Sequence, residues 1–334
     1  MPRLAEAALG SFYAAAAREY DAAAKRTGVV EVDLRFADRR VRMRFAGAGL
    51  ADALLGALAS RSDDGGGEVD ATIALWEAQA CPAGSLACPW QVADVGPGGL
   101  VRGFDFHRVL AVHETYSGTV TLVDPAERAV LHRVPHCGAV PWWERAAPLR
   151  PALYWALGGE GRHLVHAGAV GDDRGGVLLA GARGSGKTTV ALAALAHGLG
   201  FVADDYLLLH AIDEPEAVSL YSTVSICAAP AAGAKIVVDV TSLRHGSLRE
   251  SLPVRAVAVP RIRGGRARLR RLSPAEALRA WAPTTVFQMP FDDGAALASL
   301  GAVVRRVPCF ALDVGDDWAE LARAVEQVLE QAAV

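Results

Sequence analysis

Apolar residues change their period several times along this chain, and the changes divide it into segments. Residues 4–24 are Ala-rich, with Leu9, Phe12, Tyr13 and Ala16 at helical spacing. Val30, Val32, Leu34 and Phe36 then alternate with Glu31, Asp33 and Arg35, and Val41, Met43 and Phe45 alternate with Arg40, Arg42 and Arg44. This pattern predicts a hairpin with one wet face. Its polar face is acidic on one strand and basic on the other, so cross-strand ion pairing accounts for the arginines without a binding patch. Residues 48–60 read as a helix and 62–67 as a loop; 72–76, 103–112, 119–123 and 129–134 read as the strands of a meander. Residues 142–158 carry Trp142, Ala146, Leu149, Leu153 and Leu157 on one stripe and read as one long helix. The expectation is an α+β N-terminal domain, residues 1–145, built on an antiparallel sheet. Trp142, Trp143, Tyr154 and Trp155 are expected to pack as a domain seam, with a peptide or adenine site as the functional alternative.

After residue 145 the pattern is that of an α/β domain spanning 146–334. Apolar runs at 177–180, 207–209, 236–240, 254–259, 267–269 and 307–312 read as strands, and 190–196, 274–282, 294–303 and 317–330 as helices. A mixed sheet is expected. Between the first of these runs and the first helix stands Gly181-Ala182-Arg183-Gly184-Ser185-Gly186-Lys187-Thr188, a full Walker A pattern, followed by Thr189. Its glycines let backbone N–H groups turn inward on a polyphosphate, Lys187 reaches the β and γ oxygens, and the Thr188 hydroxyl suits Mg²⁺. Lysine is rare here, at three residues (Lys25, Lys187, Lys235) against 31 arginines, so Lys187 stands out against the composition. Lys25 and Lys235 lack such context and read as surface residues.

Downstream, Asp204 and Asp205 interrupt the apolar run from Phe201 to Leu209. They are expected at a strand mouth, close to the loop if the two strands neighbour one another, where Mg²⁺, Lys187 or a substrate hydroxyl compensates their charge.

Composition narrows the class less. The 334 residues are 52% hydrophobic with a net charge of −3, enough for two cores and without the basic excess of a nucleic-acid or membrane-surface binder. Neither a signal peptide nor an apolar span of membrane length is visible, so a cytoplasmic protein is expected. The five cysteines (Cys81, Cys88, Cys137, Cys227, Cys309) form no Cys-x2-Cys pair and read as free or buried thiols; a zinc site from Cys81, Cys88 and His136-Cys137 has no support from spacing. Eight arginines from Arg249 to Arg271, with no acid after Glu250, read as a solvated hairpin. Arg261, at a strand end, is the candidate for a cation on the transferring phosphoryl group.

Three blocks carry a family resemblance: His166-Ala167-Gly168-Ala169-Val170, the loop from Gly181 to Thr189, and Leu199-Gly200-Phe201-Val202-Ala203-Asp204-Asp205. In that order they resemble the HPr kinase/phosphorylase family and its shorter relatives, including the serine kinases of ribosomally made (lasso-type) peptide precursors. The resemblance covers roughly the C-terminal half. It implies His166 beside the transferred phosphate, Asp204 as general base for a serine hydroxyl, and Asp205 with Thr188 in the metal shell. The family's long Glu-rich signature has no counterpart after Leu209, which argues against the reverse phosphorolysis. The expected activity is ATP- and Mg²⁺-dependent phosphorylation of a serine-type hydroxyl on a peptide or small protein. The alternatives are a small-molecule kinase, acting on free serine or another metabolite, and a nucleotide-binding regulatory module with little catalysis.

Overall fold

The computed structural model describes residues 6–81, 86–102, 109–229, 234–288 and 294–333, with side chains left out at 6–9, 227–229 and 234. The chain divides into two compact units, residues 1–156 and 157–334.

The first unit comprises α1 (Glu6–Thr27), β1 (Val29–Phe36), β2 (Arg39–Ala46), α2 (Ala48–Leu55), β3 (Ala71–Glu77), β4 (Leu110–Glu114), β5 (Thr119–Asp124), β6 (Ala129–Val134), α3 (Trp142–Ala146) and α4 (Arg150–Leu157), whose last residue falls in the second unit. Phe12, Ala16, Tyr20 and Ala23, three or four residues apart, form the buried face of α1 and pack with Trp76, Leu122 and Leu131 of the sheet. The β1–β2 hairpin forms as the alternation predicts. Asp33 faces Arg42 across it and bonds both Arg40 and Arg42, while Glu31 pairs with Arg42 and Arg44. The side-chain hydrogen bond from Arg42 leads the causes holding the Asp33 carboxyl below the usual range. Of the strand predicted over 103–112, residues 103–108 lie outside the described residues, and β4 supplies the rest.

Two expectations are corrected. The sheet, in the order β1-β2-β3-β6-β5-β4, is mixed rather than antiparallel, because β3 runs parallel to both neighbours, β2 and β6. The long β2–β3 connection through α2 and a 3₁₀ turn returns the chain in the same sense, and β3 is buried along almost its whole length, as a central parallel strand requires. The single helix expected over 142–158 is two. Pro148 interrupts it and Leu149 takes a left-handed φ of 61°, its N–H donating to Glu144 Oε1 at 2.7 Å. Glu144, paired with Arg150, therefore caps a break that the apolar stripe conceals.

His132 lies opposite Thr121, with Nδ1 3.0 Å from its hydroxyl, and complete burial pulls its pKa from 6.5 to about 4. The folded state therefore holds this imidazole neutral where the unfolded chain protonates it. Stability from this group is complete above the unfolded pKa and is lost as pH falls from about 6.5 to about 4, an effect of about 3 kcal/mol. Thermal melting across that range should show a steeper acid loss in the wild type than in His132→Gln; parallel curves would contradict the assignment.

The second unit comprises β7 (Arg162–Asp172), β8 (Gly175–Ala180), α5 (Lys187–Ala196), β9 (Gly200–Ala203), β10 (Tyr206–His210), β11 (Glu216–Ser219), β12 (Thr223–Ala229), β13 (Ala234–Asp239), α6 (Val240–Leu243), β14 (Ser251–Ile262), β15 (Arg268–Leu272), α7 (Pro274–Val286), α8 (Ala295–Arg306), β16 (Cys309–Val314) and α9 (Trp318–Ala332). Eight strands form a mixed sheet, β11-β10-β7-β8-β14-β16-β15 with β9 also on β7, and β12–β13 pair separately. β8, β14 and β16 are mutually parallel at its centre, and β7 is buried from His163 to Gly171. Apolar residues cover both faces. Trp281, Leu300 and Val303 pack on one, Val190, Ala194, Leu321 and Val325 on the other, giving the expected α/β architecture. Ser273 caps α7 in a capping box with Glu276, and Asp317 caps α9. The basic stretch is not a hairpin: β14 and β15 flank β16 on opposite sides and do not pair, so its arginines disperse to separate partners, Arg255 to Glu214, Arg266 to Glu320 and Arg270 to Glu276.

Candidate active site

The loop between β8 and α5 turns at three glycines with left-handed φ, Gly181 (144°), Gly184 (79°) and Gly186 (106°). Gly186 caps α5, and a Cβ there would lie 3.0 Å from Val314 Cγ2, so this turn requires glycine both for conformation and for space. Lys187 is 4% exposed, and its Nζ donates to the carbonyls of Gly181 (2.9 Å) and Ala182 (3.3 Å), folded back across the loop. Burial draws its pKa below the usual lysine range, against the opposing pull of Asp205 and Asp204. The Ser185 hydroxyl is buried and makes no hydrogen bond among the described residues.

Asp204 and Asp205 form the link between β9 and β10. The sequence placed them near the loop on the premise that their strand neighbours β8. Instead β7 lies between, pairing with β8 and β9 through its second half and with β10 through its first. The approach depends on Gly168 of β7. A Cβ there would sit 2.8 Å from the Asp204 carbonyl oxygen and 3.1 Å from that of Ala203, so only glycine admits the turn. Gly168→Ala should lower stability by about 1–3 kcal/mol and shift Asp204; a variant with wild-type melting and wild-type turnover would contradict this.

The two carboxylates experience different surroundings. Asp204 is 3% exposed. Burial, reinforced by the neighbouring Asp205 charge, pushes its pKa well above the carboxylate range, against the Thr188 hydroxyl, the Ser225 N–H (3.4 Å from Oδ2) and Lys187. Its Oδ1 makes no well-aligned hydrogen bond among the described residues. Asp205 has a side chain 38% exposed, with Oδ1 3.6 Å from His166 Nε2. Burial acts to raise its pKa too, but His166, Lys187 and Lys235 together outweigh it and hold the group below its ordinary value. Proton affinity is thus raised at one carboxylate and lowered at the other.

His166 is positioned by its backbone. Its N–H donates to Thr285 Oγ1 (3.2 Å) and its carbonyl accepts from Trp281 Nε1 (3.2 Å), fastening β7 to α7. Tyr206 stands opposite it in register, the ring centroids 5.3 Å apart, and the Tyr206 hydroxyl donates to Gln288 Oε1 at 2.7 Å.

The structure therefore brings together Lys187, Thr188, Asp204, Asp205 and His166. Arg261 sits near the end of β14, between Val259, which approaches Gly181, and Ile262, which approaches Gly186, and it makes no ion pair among the described residues. Lys235, which reads from the sequence as a surface residue, influences Lys187 and Asp205 electrostatically; the scarcity of lysine is the one sequence signal that marks it. Thr285, Trp281, Tyr206 and Gln288 carried no sequence signal, since their contribution is tertiary.

Among the described residues no three His, Cys, Asp or Glu side chains gather as a metal cage. The oxygen set that is present, the Thr188 hydroxyl with the Asp204 and Asp205 carboxylates, fits Mg²⁺, which takes one or two carboxylates and completes its shell with phosphate and water. No described helix is long and apolar enough to cross a membrane. The described cysteines Cys81, Cys88, Cys137 and Cys309 are free, and the side chain of Cys227 lies outside the described residues.

The fold and site thus define an α/β protein with a P-loop set between a parallel strand and a helix. No protein-family model matches the chain, and no curated protein matches it. Among solved structures it is similar to the Hpr(Ser) kinase/phosphatase from Coxiella burnetii, at 14% identity and a TM-score of 0.33, over 51% of this chain and 96% of that one.

Proposed function

We propose that this protein is an ATP- and Mg²⁺-dependent kinase of a serine-type hydroxyl on a peptide or small protein. The observation that carries the reading is the carboxylate pair beside the loop, Asp204 buried with Oδ2 at the Ser225 N–H and Asp205 part-exposed with Oδ1 3.6 Å from His166 Nε2. A module that only bound nucleotide would need one metal contact, whereas transfer to a hydroxyl needs a proton acceptor as well. In this reading the N–H groups of residues 181–189 and Lys187 hold the β and γ phosphates, Thr188 and Asp205 hold Mg²⁺, and Asp204 accepts the hydroxyl proton. Mg²⁺ supplies charge neutralisation on the phosphate oxygens. His166 orients Asp205, and Arg261 at its strand end is a further cation for the phosphoryl group. Catalysis is then chiefly positioning and electrostatic stabilisation. Because the second unit contains every one of these residues, the first is assigned to acceptor recognition.

A second division of labour has one observation in its favour. Asp204 is nearly inaccessible and lies beside Thr188, while the Asp205 side chain is part-exposed, which suits Asp204 to the metal and Asp205 to the hydroxyl. The paired variants in the Discussion separate the two.

The acceptor class is tested by incubating the full chain with Mg²⁺ and γ-labelled ATP against a random serine-peptide library and against free serine. Label in peptide is the expected result. Label in free serine alone would replace the acceptor by a metabolite, and slow hydrolysis with no transfer would favour a regulatory module.

A further inference from the structure

The strand β8 feeds the P-loop from the middle of the sheet, in the order β10-β7-β8-β14-β16. β8 and β9 are both antiparallel to β7 and so parallel to each other, β14 is parallel to β8, and β16 is parallel to β14. The carboxyl ends of β9, β8, β14 and β16 therefore lie along one edge, where open α/β sheets bind their ligands. β9 delivers Asp204 and Asp205 there on the β7 side of β8, and β14 and β16 end on the other side. In the kinase reading above the γ phosphate and Mg²⁺ lie at the aspartates. A triphosphate laid across the loop then carries its nucleoside toward β14 and β16.

The surface it meets there is apolar and open. Ile262, the last residue of β14, stands opposite Val314, the last residue of β16. A Cβ at Gly186 would lie 3.0 Å from Val314 Cγ2 and 3.5 Å from Ile262 Cγ1, so both side chains abut the loop itself. Val314 and Ala258, four residues before Ile262, belong to the core shared with α5 and α9, which puts Ile262 on the face of the sheet that α5 covers. Yet Ile262 is 65% exposed. The N–H groups of Arg263 and Gly264 donate to the Val314 carbonyl, and a Cβ at Gly315 would collide with the Gly265 carbonyl oxygen, so the chain segments leaving the two strands are pinned together. After residues 315–317, α9 opens with Trp318, a second exposed apolar residue at 44%.

A lone exposed isoleucine on a protein surface requires no ligand. Ile262 differs because it touches the phosphate loop at the sheet's ligand edge, on the side away from the carboxylate pair. Its side chain offers no hydrogen bond, which suits it to the flat face of a heteroaromatic ring rather than to ribose hydroxyls or phosphate.

We propose that Ile262 is the platform for the nucleobase of the bound nucleoside triphosphate, packing against the ring face from the carboxyl end of β14. This rests on the kinase reading, which assigns the phosphates and leaves the nucleoside without a seat. The contribution of Ile262 is confined to the base, so the loop's hold on phosphate should not depend on it.

The test is calorimetric titration of the full chain, wild type, Ile262→Ser and Ile262→Leu, with the Mg²⁺ complexes of the non-hydrolysable β,γ-imido analogue of ATP and of inorganic tripolyphosphate. In Ile262→Ser the nucleotide should lose about fivefold or more in affinity while tripolyphosphate is unchanged, and Ile262→Leu, which keeps an apolar surface, should stay close to the wild type. Equal losses for both ligands would make Ile262 a prop for the loop, and unchanged nucleotide affinity would place the base elsewhere; either result overturns the proposal. A wild type that binds neither ligand would instead overturn the P-loop reading on which it rests. Circular dichroism checks the fold, and Ile262→Ala carries the same comparison if the serine variant does not fold.

Discussion

Lys187→Ala should lower nucleotide-dependent turnover by about 10³-fold or more while leaving the melting temperature close to that of the wild type. The side chain is buried, yet among the described residues its ammonium donates to two loop carbonyls, those of Gly181 and Ala182, and burial already disfavours its charge. Removing it therefore relieves a desolvation cost and forfeits about 1 kcal/mol per hydrogen bond, with little net effect on folding. The ligand, by contrast, loses its main positive contact. Turnover and melting measured on the same preparation distinguish the two effects. Wild-type turnover in this variant would remove Lys187 from the chemistry, and a collapse in melting temperature would make it a structural residue.

Asp204→Asn should retain MgATP binding and lose phosphotransfer by about 10²–10⁴-fold, the range for a positioned proton acceptor. The wild-type pH profile carries a sign that checks the role. Because burial raises the Asp204 pKa, the group protonates as pH falls through a value above the ordinary carboxylate range, and kcat/KM should fall with it. That acid limb should be absent from the residual activity of Asp204→Asn. Asp205→Asn should instead raise the Mg²⁺ concentration needed for turnover. If Asp205→Asn removes the acid limb and Asp204→Asn shifts the Mg²⁺ requirement, the two roles are exchanged. If neither variant changes transfer, the carboxylate pair is not part of the reaction.

Much of the site was legible because its chemistry is local. A Gly-rich loop opening a helix, or two aspartates in a two-residue link between strands, is written in consecutive residues whose backbone geometry follows from their type. The β1–β2 hairpin was legible for the same reason, its register following from strict alternation and a tight turn. What escaped was set by tertiary pairing. Nothing in the run from Val177 to Leu209 says that β7 inserts between β8 and β10, and the proximity of Asp204 to the loop depends on that insertion and on Gly168. The parallel setting of β3 likewise depends on how a long connection returns. Pro148 lies at the break between α3 and α4, but the apolar stripe runs across it and hides the change of direction at Leu149. Lys235 escaped because its electrostatic influence on Lys187 and Asp205 is tertiary, between residues far apart in sequence.

The central claim is that residues 181–189, with the Asp204–Asp205 turn, hold a nucleoside triphosphate together with Mg²⁺. Calorimetric titration of the full-length wild-type protein with ATP, with and without Mg²⁺, tests it most directly. The account predicts one saturable site per chain, tightened by Mg²⁺ and competed by ADP. Absence of saturable binding, or binding that is indifferent to Mg²⁺, would contradict it.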